Sequence, residues 1–151
     1  MIKKKIHYGI VLLFIFFSAC GYEPLNKNFS YSKIEISKKT FSGDSKINRK
    51  IFNKLNLVEN NQGFGYELKL NTNKKIDEVS KDKSGNVTTY KTSLSVSITL
   101  IKDQETLKSK TFSKSFNYNN LDNKFDLVKY QKDVENNLIN SIVRDIRIFL
   151  N

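Results

Sequence analysis

Between Tyr90 and Leu100 the chain alternates. Tyr90, Leu94, Val96, Ile98 and Leu100 fall on one side of an extended backbone, and Lys91, Ser93, Ser95, Ser97 and Thr99 on the other. Successive side chains of a strand point to opposite faces, so this segment predicts a half-buried strand. One face lies on a core, and the other is wet or covered by a partner. A sheet of this kind needs a second layer to bury its apolar side.

Two segments supply that layer. Ile47, Ile51, Phe52 and Leu55 recur at helical spacing, behind Ser42 or Asp44 as a cap and ahead of Asn60-Asn61-Gln62-Gly63 as a stop. At the end of the chain Asp122 or Asn123 can cap a longer helix. Its Tyr130, Val134, Leu138, Ile142, Ile146 and Phe149 step along one face, widened by Ile139, Val143 and Leu150. Further strands are expected over Tyr31 to Ile36, around Tyr66, Leu68 and Leu70, and around Phe112, Phe116 and Tyr118. Lys102-Asp103-Gln104-Glu105 is short enough to join two of them as an antiparallel hairpin. The polar stretch from Asn73 to Asn86, containing Ser84-Gly85-Asn86, reads as a turn between long strands. The expectation is an α/β two-layer sandwich, with two helices packed on one face of a roughly four-stranded mixed sheet in the order β-α-β-β-β-α. No repeat or second core is visible.

The first twenty residues have the grammar of an export signal: three lysines within Met1 to Lys5, an apolar run to Phe17, and the ending Phe17-Ser18-Ala19-Cys20. The run is shorter than the roughly 20 apolar residues a membrane-spanning helix needs. Small residues ahead of a cysteine predict a lipoprotein signal over residues 1–19, lipidation at Cys20 and a lipidated tether over 20–29 that holds the only proline, Pro24. The folded domain is then expected over 30–151. Cys20 is the only cysteine, so no disulfide can staple the exported domain. More than one acyl chain gives stable anchoring, and Gly21 in place of an Asp favours the outer membrane.

The residue inventory limits chemistry. The single histidine, His7, lies inside the signal, and the cysteine is taken up by lipid. The mature chain therefore has no means to build a Ser-His-Asp or Cys-His nucleophile, or a His- or Cys-ligated zinc site. Asp77 and Glu78 are neighbours, on opposite faces if extended, and make a poor acid/base pair. Asp82-Lys83-Ser84-Gly85-Asn86 lacks the later carboxylate of a calcium loop, and Gly63-Phe64-Gly65 has neither ending of a phosphate loop. No catalytic residue, metal site or cofactor is expected.

Binding is the better class. The formal charge is +11, or about +8 without Lys3, Lys4 and Lys5, which suits acidic partners. Lys74, Lys75, Lys81 and Lys83 are expected to gather about one turn. There they either meet phosphate groups or form a charged tip that keeps the hairpin soluble. No basic-aromatic motif points to nucleic acid.

Cys20-Gly21-Tyr22-Glu23-Pro24-Leu25 resembles the opening of the LptE family of lipopolysaccharide-assembly lipoproteins. The order continues through Arg49 and Leu55 in a helix, Gly85 and Tyr90 leading into a strand, Phe112 and Phe116 in the next, and a helix ending at Ile146 to Leu150. The resemblance implies an outer-membrane protein, held by its N-terminal lipid and facing the periplasm. It would plug the lumen of the LptD β-barrel, help that barrel assemble and assist delivery of lipopolysaccharide to the cell surface. It also implies a lipopolysaccharide contact at Lys83, two places before Gly85, with Lys81 beside it and Lys124 near the start of the last helix. Asp82 is expected to neutralise Lys83 in part. The alternative function is an envelope lipoprotein serving another barrel-assembly or lipid-trafficking system.

Overall fold

A computed structural model of the chain describes residues 34–60 and 63–151. The expected signal, Cys20 and the tether all lie outside these residues, as does Tyr31. Strands β1 (Glu35–Gly43), β2 (Val58–Glu59), β3 (Tyr66–Lys81), β4 (Val87–Lys102) and β5 (Glu105–Asn119) form one sheet in the order β2-β1-β3-β4-β5. Helix α1 (Ser45–Leu55) follows β1, and helix α2 (Lys124–Leu150) follows β5. The sheet is mixed: β1 runs parallel to β2 and β3, and β3, β4 and β5 are antiparallel. Both helices pack on one face, as expected, and the sheet gains the two-residue strand β2.

The core is built from the alternation. Leu94, Val96, Ile98 and Leu100 of β4 are buried with Leu68 and Leu70 of β3, against Ile47, Ile51 and Leu55 of α1 and Ile139, Ile142 and Ile146 of α2. Thr92 lies on the same side and stays satisfied, its hydroxyl 3.0 Å from the buried Tyr118 hydroxyl. On β5 that side carries Lys108, Lys110, Phe112, Lys114, Phe116 and Tyr118 in register with β4. Lys108 donates to the Phe149 and Leu150 carbonyl oxygens at 3.0 and 3.1 Å, closing the C-terminus of α2, where a cation also suits the helix dipole. Lys114 pairs with Asp145 at 2.8 Å. Inward-pointing lysines on an edge strand discourage pairing with another chain.

Three boundaries differ from expectation. First, β1 continues to Gly43, because a bulge between Ile36 and Lys38 reverses which side chains face inward. Past it, Phe41 meets Phe52 with ring centroids 5.8 Å apart, and the Lys39 ammonium lies 4.6 Å from the Phe52 centroid. A bulge erases the period-two signal. Second, α1 stops at Leu55, where Asn56 takes a left-handed φ of 55°. Of the two candidate caps, Asp44 is the one used: its carboxylate accepts from the Lys46 and Ile47 amides at 3.0 Å. Third, most of the polar stretch after Asn73 is strand rather than turn, since β3 runs to Lys81.

Of the candidates for the second helix, Asn123 caps α2, its side chain accepting from the Phe125 amide at 2.9 Å. Among the described residues no helix is long and apolar enough to cross a membrane.

Candidate binding surfaces

The register explains the long polar half of β3. Pairing with β1 ends at Gly43 opposite Thr72, and from Asn73 onward β3 pairs with β4 alone. Helix α1 starts at that same level, because the Asp44 amide donates to the Thr72 carbonyl at 3.1 Å and the Thr72 hydroxyl donates back to the Asp44 carbonyl at 3.1 Å. Beyond it the sheet continues as an arm of β3, β4 and β5, and then of β3 and β4 only, since β5 ends at Asn119 opposite Thr89. Strand residues there are polar because they have lost neighbours, not pairing.

The arm closes in a tight turn held by Asp82. Its carboxylate accepts from the Ser84 amide at 2.8 Å, the Asn86 amide at 2.9 Å and the Asn86 side-chain amide at 3.1 Å. The hydrogen bonds from Asn86, with smaller help from Ser84 and Gly85, hold the carboxyl below its ordinary value of 3.8 despite a small opposing desolvation. The carboxylate is thus spent on turn amides. It forms no direct ion pair with Lys83 among the described residues, and its charge stays one residue away. Lys83 stands at the apex, exposed, with no ion-pair partner among the described residues.

The other expected lysines are distributed differently. Lys74 is on the helix side of β3 and pairs with Glu135 of α2 at 2.7 Å. Lys75 pairs with Asp77 at 2.7 Å, and Lys81 pairs with Glu78 at 3.0 Å on an exposed surface. Among the described residues only Lys83 therefore offers an uncommitted charge at the turn, and the expected four-lysine cluster does not form. Lys124 is the first residue of α2 and exposed. Asn120 fastens the β5–α2 connection to the arm, its side chain donating to the Val87 carbonyl and its backbone to the Thr88 carbonyl, both at 2.8 Å. Lys124 and Lys83 thereby share one end of the molecule.

That end also carries apolar side chains that sequence pattern did not single out. Phe125 is 77% exposed and Val128 64%, and Ile76, Val79 and Leu121 are exposed as well. For Phe125 and Val128 the signal was their place in α2 off its buried stripe.

The face of the sheet away from the helices is uncovered among the described residues. Its centre is made of short neutral side chains: Ser93, Ser95, Ser97 and Thr99 of β4 stand opposite Ser115, Ser113, Thr111 and Ser109 of β5. Hydroxyl pairs bridge the strands at 3.0 Å for Ser95 and Ser113, 2.8 Å for Ser97 and Thr111, and 3.1 Å for Thr99 and Ser109. Asn71, Asn73 and Lys75 of β3 continue the field on the other side. Alternation on β4 announced half of this surface. The β5 half needed the register.

No protein-family model and no curated protein matches the chain. Solved structures do. The rare lipoprotein B from Shewanella oneidensis superposes with a TM-score of 0.53 at 14% identity, covering 72% of this chain and 92% of that one. A minor lipoprotein from Acinetobacter baumannii gives 0.55 at 12% identity, covering 77% and 92%, and lipoprotein B from Nitrosomonas europaea 0.53 at 15%, covering 78% and 87%. The fold is that of rare lipoprotein B. At these identities the likeness is one of architecture. On this lipoprotein B fold the present chain combines a neutral hydroxyl face along the sheet with a cationic, partly apolar end at the arm. Among the described residues no group of His, Cys, Asp or Glu is arranged to hold a metal ion.

Proposed function

We propose that the chain is an outer-membrane lipoprotein that sits as a plug inside a large β-barrel of the LptD type, helps that barrel assemble and assists delivery of lipopolysaccharide to the cell surface. The observation that carries this reading is the uncovered hydroxyl face. Among the described residues a whole side of the sheet is left without a second layer, yet its centre holds neither the apolar side chains that would seek one nor the dense charge of an ordinary wet surface. Short hydroxyl and amide side chains allow a polar wall to come close and exchange hydrogen bonds, and the interior of a large membrane barrel is such a wall.

The arm supports the second half of the proposal. Lys83 presents an uncommitted ammonium at its apex, and a lysine binds phosphate as a mobile point charge. Lys81 and Lys124 stand at the same end, with Phe125 and Val128 able to meet acyl chains. The resemblance of Cys20 to Leu25 to the LptE opening, and the architecture of rare lipoprotein B, point the same way. Affinity purification of the tagged full-length protein from outer membrane tests the reading: a large barrel protein is expected to copurify in near-equal amount. Recovery of the lipoprotein with no barrel partner would sink it.

A further inference from the structure

The Gly63-Phe64-Gly65 segment lies at the opposite end of the sheet from the arm, and the function above makes no use of it. Phe64 is 80% exposed, forgoing about 2 kcal/mol that burying such a ring would supply. Its exposure is built in. Gly63 and Gly65 have φ values of 81° and 144°, and a Cβ at Gly65 would stand 2.5 Å from the Glu35 carbonyl oxygen. The chain therefore hugs the start of β1 and turns the ring outward. Tyr66 follows, with the Lys102 ammonium 5.4 Å from its ring centroid. Glu35 and Asp103 complete a shallow hollow of about 370 Å³ around the two aromatic residues.

We infer that this end of the molecule is a bilayer-contact surface, with Phe64 entering the interfacial layer of the membrane in which an acylated Cys20 is anchored. The inference rests on the lipoprotein reading above. Connectivity selects this end over the arm. The described chain begins here, at Ile34 and Glu35, and Cys20 is fourteen residues earlier. Such a tether spans at most about 50 Å when fully extended. Strands β3 and β4 of 16 residues each place the tip of the arm about 50 Å from this end. A bilayer contact at the arm would need the tether drawn out along the whole molecule, whereas one here needs no extension.

Chemistry agrees with connectivity. Aromatic residues beside a lysine suit the headgroup region, where rings sit at the boundary and the amine reaches toward phosphate. Lys102 is outnumbered by Glu35 and Asp103 around the same hollow, so the contact is apolar rather than a polybasic attraction. It should therefore persist in high salt.

The chain has no tryptophan, so Phe64→Trp gives a single emitter at a largely exposed position. In the acylated full-length variant on vesicles of phosphatidylethanolamine and phosphatidylglycerol, the emission should shift to the blue and be quenched by brominated acyl chains. Raising the salt should leave both effects in place. Phe125→Trp, at the arm end, should keep the emission of a ring in water. Vesicle-bound protein whose Phe64→Trp emission stays at the water position overturns the inference. So does a blue shift that appears without vesicles as protein concentration rises, which would assign the surface to a second copy of the chain. Failure of the acylated protein to sediment with vesicles at all would instead remove the anchoring on which the inference rests, and the inference with it.

Discussion

Lys50 of α1 meets Glu135 of α2 at 2.7 Å, and the second oxygen of that carboxylate takes Lys74 of β3 at 2.7 Å. One partly buried carboxylate thus ties both helices to the sheet at the level where the arm leaves the core. Burial pushes its pKa up, but the hydrogen bonds and charges of Lys50 and Lys74 outweigh it and hold the group below its ordinary 4.5.

Replacing the carboxylate, Glu135→Gln, should therefore destabilise the fold by about 1–2 kcal/mol at neutral pH, given the worth of charge-assisted hydrogen bonds. Because the folded pKa lies below the unfolded one, this contribution is complete above 4.5 and is lost as pH falls through the lowered folded value. Urea denaturation should show the two proteins far apart at neutral pH and converging in acid. Equal midpoints at neutral pH would contradict the role.

Gly43 joins β1 to α1 with φ of 74°, and a Cβ there would stand 1.9 Å from the Thr72 carbonyl oxygen. Gly43→Ala has to break the Asp44–Thr72 bond as well as adopt a disfavoured φ, so a loss of about 2 kcal/mol or more is expected. Thermal unfolding reads it directly.

For the turn, Asp82→Ala should free the Ser84 and Asn86 amides and loosen the apex while sparing the core, which the side chain does not touch. The folded pKa is lowered, so apex order should be complete above 3.8 and fade as pH falls through the lowered value. Hydrogen exchange at these two amides follows it. Unaltered protection in the variant would show that backbone bonds alone hold the turn.

A phosphate contact at Lys83 predicts that Lys83→Glu weakens lipopolysaccharide binding by about five- to tenfold, the worth of one charge-assisted bond lost at an exposed site. The circular dichroism spectrum should not change. Lys75→Glu, on the same strand but already committed to Asp77, is the comparison and should have the smaller effect. Equal affinities for Lys83→Glu and the parent protein would reject the contact.

The hydroxyl face makes its own prediction. Ser95→Arg places a long cation among Ser113, Asn73 and Ser97 on a surface left uncovered among the described residues. Thermal stability should hold within about 0.5 kcal/mol, as for other surface changes, while copurification of a barrel partner falls. Retention of the partner at parental yield would move the docking surface elsewhere.

Local pattern was sufficient wherever a residue's partners lie on one predictable side. The alternation of Leu94, Val96, Ile98 and Leu100 and the helical stripe from Val134 to Ile146 are legible in the linear sequence, because period does not depend on what packs where. Tertiary structure decided the rest. The bulge after Ile36 hid the second half of β1. The end of β1 at Gly43 turned the polar residues after Asn73 into an exposed strand instead of a turn. Spatial pairing gave Lys74 to Glu135, Lys75 to Asp77 and Lys81 to Glu78, leaving Lys83 the one of these four without an ion-pair partner among the described residues. The sequence by itself thus determined that the chain is a two-layer domain with both helices on one sheet face. Which lysine is free, and which sheet face stays open, depends on register and on residues far apart in the chain, and only the folded structure brings those together.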